Sequence, residues 1–188
     1  MRRLIVFDTI SLDGYFTDQR GEMRWSYNAI KDNEWDAYVD SNASGGGMMV
    51  FGRITYELMA GYWPTDFATR SFPVIAERMN QGPKIVFSRT LQSPAWSNTR
   101  LVKQGLTEEI RKLKSESGPG LAILGSGSIV AQLTQERLID EYQFIVAPII
   151  LGGGRTLFEG IKEKLSLKLV ETRAFKNGNV LLRYTPIP

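Results

Sequence analysis

The chain has 188 residues, of which 43% are hydrophobic, 11% aromatic and 23% charged, the profile of an ordinary globular protein long enough to close its own core. Cysteine and histidine are both absent, which excludes disulfides, thiolate nucleophiles, histidine triads and the common zinc and haem sites, so no metal is expected. Lys and Arg outnumber Asp and Glu by only 23 to 20 and form no basic run, so nucleic acid is not the expected partner, whereas a small anionic ligand suits the mild positive charge.

Residues 3–10 read as a buried strand of β-branched and aromatic residues, followed by a turn at Asp13-Gly14. Asp8 ends the opening apolar run too early for a signal-peptide core or a membrane span, so a cytoplasmic protein is expected. Residues 32–43 carry Trp35, Tyr38, Val39 and Asn42 at helical spacing and stop at Gly45-Gly46-Gly47. A short apolar run at 48–51 predicts a second strand, which feeds through Gly52 into a helix over 53–60 closed by Gly61. Trp63-Pro64 and Phe72-Pro73 predict an irregular loop from residue 62, followed by a helix over 74–80.

Strands are expected at 84–87 and 99–102, on either side of Ser93-Pro94. Thr107 is the expected cap of a helix with Glu108 and Glu109 in its first turn and Arg111, Lys112 and Lys114 later, the order that complements the helix dipole. After Gly118-Pro119-Gly120 comes a fifth strand at 121–124 and a helix at 129–138, with Ile129, Val130 and Leu133 on one face. This alternation predicts an α/β domain with a largely parallel sheet covered on both faces. The pattern then changes: 140–148, 165–175 and 179–186 are strand-like, and Asn177-Gly178 signals an antiparallel C-terminal hairpin. No repeat or linker divides the chain, so residues 1–188 form one expected domain.

Two strand-to-helix junctions stand out, Phe51-Gly52-Arg53 and Leu124-Gly125-Ser126-Gly127-Ser128. The first N–H groups of a helix lack internal partners and lie at the positive end of its dipole, while glycine lets a phosphate approach the backbone. Two such ends on neighbouring parallel strands face one crevice, which suits a pyrophosphate. A Rossmann fingerprint is excluded because Val130 holds the third glycine position, and a Walker A loop because no Gly-Lys-Ser/Thr is present. Arg53 and the pair Ser88-Arg89 follow buried strands at the same predicted sheet edge, where guanidinium and hydroxyl groups would meet an extra phosphate. Either arginine alone would equally serve as a solvated surface cation.

Phe51-Gly52-Arg53-Ile54-Thr55-Tyr56-Glu57, Phe87-Ser88-Arg89 and Leu124-Gly125-Ser126-Gly127-Ser128 resemble, in order, the NADPH-binding segments of the dihydrofolate reductase family. Ser11-Leu12-Asp13-Gly14, Leu138-Ile139-Asp140-Glu141 and the run Ala147-Pro148-Ile149-Ile150-Leu151-Gly152-Gly153-Gly154 resemble more closely the riboflavin-pathway reductase domain, the C-terminal part of the bifunctional RibD enzymes. The resemblance spans nearly the whole chain. It implies a dihydrofolate reductase-like fold with a mixed sheet of about eight strands and helices on both faces. The implied activity is hydride transfer from NADPH to a small heterocyclic substrate, such as 5-amino-6-(5-phosphoribosylamino)uracil, by a homodimer.

Carried over by position, Thr9 and Phe16 would line the nicotinamide, Gly52, Arg53 and Thr55 the pyrophosphate and adenosine side, and Ser88 and Arg89 the 2′-phosphate. Gly125, Ser126, Gly127 and Ser128 would meet the pyrophosphate again, and Val146 and Ala147 the ring being reduced. Asp36 is the counterpart of the pterin-pairing carboxylate, with Asp40 one turn later as its competitor, although a helix that also carries Asp32 and Glu34 shows acids on its wet face in any case. Trp63 would cap the pocket or serve as a hydrophobic anchor, and Asp13 would sit at the cofactor mouth. Tyr15 stands where that reductase family often has Lys, which leaves the substrate open. A zinc deaminase partner needs His and Cys, so a stand-alone reductase is expected. Two rivals remain: a dihydrofolate or pterin reductase anchored by Asp36, and a module that binds NADP(H) without turnover.

Overall fold

In a computed structural model, which describes residues 1–187, the apolar runs become eight strands of one sheet in the order β4-β3-β2-β5-β1-β6-β8-β7. The strands are β1 (Leu4–Ser11), β2 (Met48–Gly52), β3 (Lys84–Phe87), β4 (Thr99–Val102), β5 (Leu121–Leu124), β6 (Glu141–Ala147), β7 (Leu167–Ala174) and β8 (Val180–Pro186). The six from β4 to β6 in that order are parallel; β8 pairs antiparallel with β6, and β7 with β8. The Asn177-Gly178 signal is borne out, because Gly178 takes φ +88° and the Phe175 N–H bonds the Asn179 carbonyl to close the hairpin.

Side-chain alternation along the strands explains the helices on both faces. Val50 of β2 joins Leu4, Val6 and Ile123 in one core cluster, while its neighbours Met49 and Phe51 join Val86 in a second. The first cluster is covered by α5 (Leu106–Ser115) through Ile110 and Leu113, and by α6 (Gly127–Gln135) through Ile129, Val130 and Leu133. The second is covered by α2 (Arg53–Tyr62) through Tyr56 and by α4 (Pro73–Gln81) through Met79. On the same side as α2 and α4, α1 (Asn33–Ser44) lays Trp35 and Tyr38 on Phe7, Ile145 and Phe175.

Four expectations need correction. The loop expected from residue 62 contains a further helix, α3 (Asp66–Ser71), because Pro64 restricts only the residue before it and Thr65 then caps a new turn by accepting the Ala68 N–H. Phe72-Pro73 does not delay α4, since proline fits the first helical position, where its missing N–H costs nothing. Thr107 lies inside α5: Gly105, at φ +73°, precedes the helix, and Leu106 starts it because its side chain packs on the core. The last helix also begins earlier than expected, at Gly127, so the glycine turn itself becomes the helix start. Among the described residues, no helix is long and apolar enough to cross a membrane.

One charged side chain is spent entirely on architecture. Lys84, at 1% exposure, directs Nζ at the Met79, Gly82 and Asn80 carbonyls at 2.8, 2.8 and 3.1 Å, and lies 4.4 Å from the centre of the Trp96 ring. It caps the orphan carbonyls at the end of α4. Burial, helped by the nearby Arg78, lowers its pKa to about 8. Lys84→Met leaves those carbonyls without a donor and is expected to cost about 1–3 kcal/mol in urea denaturation.

Candidate functional site

β2 and β5 are hydrogen-bonded parallel neighbours, and each runs straight into a helix. Between β5 and α6 the chain makes two consecutive left-handed residues, Gly125 at φ +66° and Ser126 at φ +72°. Glycine adopts that conformation freely; serine does so at a cost of roughly 1–2 kcal/mol. The return is visible in the contacts of Ser126, which is 8% exposed. Its Oγ accepts the Gly52 N–H at 2.7 Å and donates to Thr55 Oγ1 at 3.0 Å, joining the two turns.

Their approach leaves no room for side chains. A Cβ on Gly52 would lie 2.9 Å from Ser126 Oγ, and one on Gly125 would lie 2.8 Å from Thr55 Cγ2. Neither α2 nor α6 has a side-chain cap at its N-terminus. Two uncapped helix starts therefore open side by side, with their dipoles converging.

They open into a cleft of about 1100 Å³. The cleft brings together Phe16, Gly52, Arg53, Thr55, Ser88, Arg89, Ser126, Gly127 and Ser128, residues that the sequence groups from four distant segments. Arg53 pairs with Glu57 one turn on, at 2.8 Å. Ser88 Oγ accepts the Thr90 and Leu91 N–H groups, which fixes the turn that carries Arg89. Arg20, Lys103 and Arg155 also line the cleft, and Glu159 is the one acid among the lining residues. This excess of cations over one carboxylate matches a ligand with several phosphates. Lys103 and Arg155 were not singled out in the sequence; the signal for Lys103 was its place just after β4, the rule that pointed to Arg53 and Arg89.

Other expected residues lie elsewhere. Gly125 sits behind Thr55 at the base of the cradle. Thr9 is half-buried on β1 and pairs with Ile145; Val146 and Ala147 end β6 opposite Ile10 and Ser11, and none of these three lines the cleft. Trp63 is remote from it: its indole N–H meets Met59 Sδ, its ring packs edge-on against Tyr62 and Phe72, and it belongs to the core cluster beneath α2. Asp36 and Asp40 are both exposed on α1, whose inward positions are Trp35 and Tyr38, and neither lines the cleft.

Asp13 ties two loops together. It accepts the Ser11 hydroxyl at 2.6 Å and, from across the mouth, the Gly152 and Leu151 N–H groups at 2.7 and 3.1 Å. The same two loops meet again where Thr17 and Arg155 form an isolated antiparallel bridge. At that crossing Gly154 has φ +146°, and a Cβ there would fall 1.9 Å from the Thr17 carbonyl oxygen.

Asp8, which reads in the sequence only as the end of an apolar run, is 3% exposed on β1, and its Oδ2 is buried with no hydrogen-bond partner. Burial pushes its carboxyl well above the usual range, and the Gly125 backbone only partly opposes that shift.

Comparison with known proteins gives the family and the fold. The family model for the RibD C-terminal domain matches residues 2–181. An uncharacterized protein of Bacillus subtilis (strain 168), YyaP, is 28% identical over 183 residues, covering 97% of this chain and 94% of its own. Among solved structures, a provisionally named riboflavin biosynthesis protein from Shewanella sp. PV-4 matches with a TM-score of 0.80, 25% identity and 99% of both chains covered. Dihydrofolate reductase from Enterococcus faecalis, complexed with NADP(H) and RAB-propyl, has the same fold at a TM-score of 0.64 and 13% identity, covering 99% of this chain and 97% of that one.

Two outcomes follow for the mouth and the cradle. Ser126→Ala removes the acceptor of the Gly52 N–H and the partner of Thr55, and is expected to cost about 1–2 kcal/mol in urea denaturation. Hydrogen bonds, chiefly from the Ser11 hydroxyl, hold the Asp13 carboxyl at about 2 instead of 3.8. A carboxyl with a lowered folded-state pKa adds stability above its unfolded pKa and loses it as pH falls through the folded one. Asp13→Asn should therefore flatten the fall in thermal stability between pH 3.8 and about 2.

Proposed function

The chain belongs to the RibD C-terminal domain family, and on that footing we propose that it is an NADPH-dependent reductase of a small heterocyclic substrate, of the 5-amino-6-(5-phosphoribosylamino)uracil reductase type. The observation that carries this reading is the Ser126 link, which sets two uncapped helix starts on neighbouring parallel strands at the floor of a cation-lined cleft. The residues fit the cofactor: two turns in which a Cβ would collide give a pyrophosphate direct access to backbone N–H groups. The dihydrofolate reductase that shares the fold is itself complexed with NADP(H).

In this reading Gly52, Ser126, Gly127 and Ser128 bind the pyrophosphate, with Arg53 and Thr55 beside them. Ser88 and Arg89 take the 2′-phosphate, and Lys103 adds charge from the next strand end. When bound, the cofactor supplies the hydride. Phe16, buried at the nicotinamide end of the cleft, excludes water from one side of the ring. Thr9, Val146 and Ala147 stand near the ends of β1 and β6, outside the cleft that would hold the cofactor's phosphates. The clamp at Asp13 and the Thr17 bridge to Arg155 hold the loops that close this end. A pterin reductase anchored by Asp36 is less favoured, since Asp36 stands on the exposed side of α1. The protein acts in the cytoplasm as a homodimer, for which β7 offers an outer strand edge with Leu169 and Val170 exposed.

Fluorescence titration with NADPH and NADH tests the cofactor without knowledge of the substrate. NADPH should bind more tightly; Arg89→Ala should weaken it by roughly 1–3 kcal/mol while leaving NADH nearly unchanged, and Arg53→Ala should weaken both nucleotides. Equal or absent binding of the two nucleotides overturns the assignment. Tight NADPH binding with no oxidation against pyrimidine and pterin substrates would identify a sensor instead of a reductase.

A further inference from the structure

The cations that line the cleft are not equivalent. Arg53 pairs with Glu57, and Lys103 donates to the Leu91 carbonyl. Arg20, Arg89 and Arg155 are exposed there with no carboxylate partner among the described residues, and Glu159, four residues beyond Arg155, leaves it unpaired. The strand order spreads these groups along one edge of the sheet. Lys103 follows β4 and Arg89 follows β3, the cradle closes β2 and β5, and the loops after β1 and β6 carry Arg20 and Arg155. The cradle therefore lies between Arg89 and Arg155, whose strands are four spacings apart, roughly 19 Å at about 4.8 Å each.

Arg155 is held in place on both sides. Its carbonyl accepts the Phe16 N–H at 2.9 Å, and its own N–H donates to the Thr17 carbonyl at 3.3 Å. Two residues on, Leu157 is 2% exposed and joins Phe16 and Ile129 in the core. Between these anchors the loop crosses the start of α6: a Cβ on Gly127 would lie 2.9 Å from the Thr156 carbonyl oxygen and 3.1 Å from Phe16 Cε1. The residue after Arg155 thus touches the glycine at which α6 begins. Arg20 is placed differently, in a turn supported locally by Asp18, which accepts the Arg20 and Glu22 N–H groups at 2.8 and 2.9 Å. A side chain on a backbone fixed from both sides loses less freedom when it takes a ligand.

We propose that Arg155 is a further binding residue for the cofactor's pyrophosphate, meeting it from the loop after β6 on the side opposite Arg89 and Lys103. The proposal rests on the nucleotide-binding reading above. Charge balance calls for such a group. A bound pyrophosphate carries about two negative charges, whereas each uncapped helix start offers only about half a positive one, and Arg53 already shares its charge with Glu57. A free guanidinium supplies what is missing, and its planar fork takes phosphate oxygens in pairs. The 2′-phosphate, assigned to Ser88 and Arg89, lies too far along the edge for Arg155 to share. Arg155 therefore contributes to nucleotide affinity but not to the choice between NADPH and NADH.

The test is calorimetric titration of wild type, Arg155→Ala and Arg89→Ala with NADPH, NADH and adenosine 2′-monophosphate. The Arg155 side chain is exposed, so its removal should leave the melting temperature unchanged. Arg155→Ala should weaken NADPH and NADH by the same factor, about tenfold or more, and leave adenosine 2′-monophosphate, which has no pyrophosphate, within about twofold of wild type. Arg89→Ala should show the other pattern, weakening NADPH and adenosine 2′-monophosphate and sparing NADH. If Arg155→Ala is unstable, Arg155→Gln, which keeps part of the methylene stem, carries the same comparison. Loss of NADPH affinity alone in the Arg155 variant would put its guanidinium on the 2′-phosphate, and an equal loss for all three ligands would reduce it to a general field effect. Unchanged binding of all three would put it outside the cofactor site. Each of these results overturns the proposal and leaves the nucleotide reading standing. Wild type that binds neither dinucleotide refutes that reading, and the proposal with it.

Discussion

The Ser126 hydroxyl accepts the Gly52 N–H and donates to Thr55, and through these two bonds the turns after β2 and β5 become a single surface. The rest of the site depends on that junction. It requires glycine at positions 52 and 125, because a Cβ at either would strike the opposite turn. It also requires β2 and β5 to be adjacent and parallel, so that both helices start at the same sheet edge. The strand order of the whole domain serves this requirement: β3 and β4 extend the edge outward with Ser88, Arg89 and Lys103, while β1 and β6 extend it toward the loops tied by Asp13.

Polar groups in this protein divide by their neighbours. Lys84 and Asp8 are both nearly inaccessible and both shifted toward their neutral forms by burial, yet their surroundings differ. Lys84 has three carbonyls and an aromatic ring, which makes it a structural cap whose charge is well received. Asp8 has a buried carboxyl oxygen with no hydrogen-bond partner. A buried group that is satisfied stabilises the fold; one left half-satisfied beside a cleft costs stability, and such costs concentrate at functional sites.

Much of this was legible in the sequence because the signals were local. Short apolar runs ending in glycine and opening into helices located β2, β5 and their cradles, and the same rule at the end of β3 located Arg89. The Asn177-Gly178 hairpin was equally plain. Signals that depend on three-dimensional context failed. Thr65 could be recognised as a cap only once Pro64 was understood to end one helix and not to forbid the next. Trp63 beside a proline reads as a pocket cap or a hydrophobic anchor, and only the fold decides for the anchor, because the length of α2 carries it onto Met59. Asp36 and Asp40 depended on the rotation of α1 about its axis, which Trp35 and Tyr38 set by packing on Phe175. Asp8 was read as punctuation because a lone acid in an apolar strand gives no hint of what lies behind it.

The strand order also bears on how the protein is made. β1 leaves the ribosome long before either of its partners: β5 begins at Leu121 and β6 at Glu141. The central strand, rich in Leu, Ile, Val and Phe, therefore waits through most of synthesis with both edges unpaired. Sheets closed by such distant segments fold slowly and expose sticky edges meanwhile. The cradle joins Gly52 and Thr55 to Ser126, so it cannot be completed until β5 and α6 have been made, and a product truncated before them would carry β1 without its site.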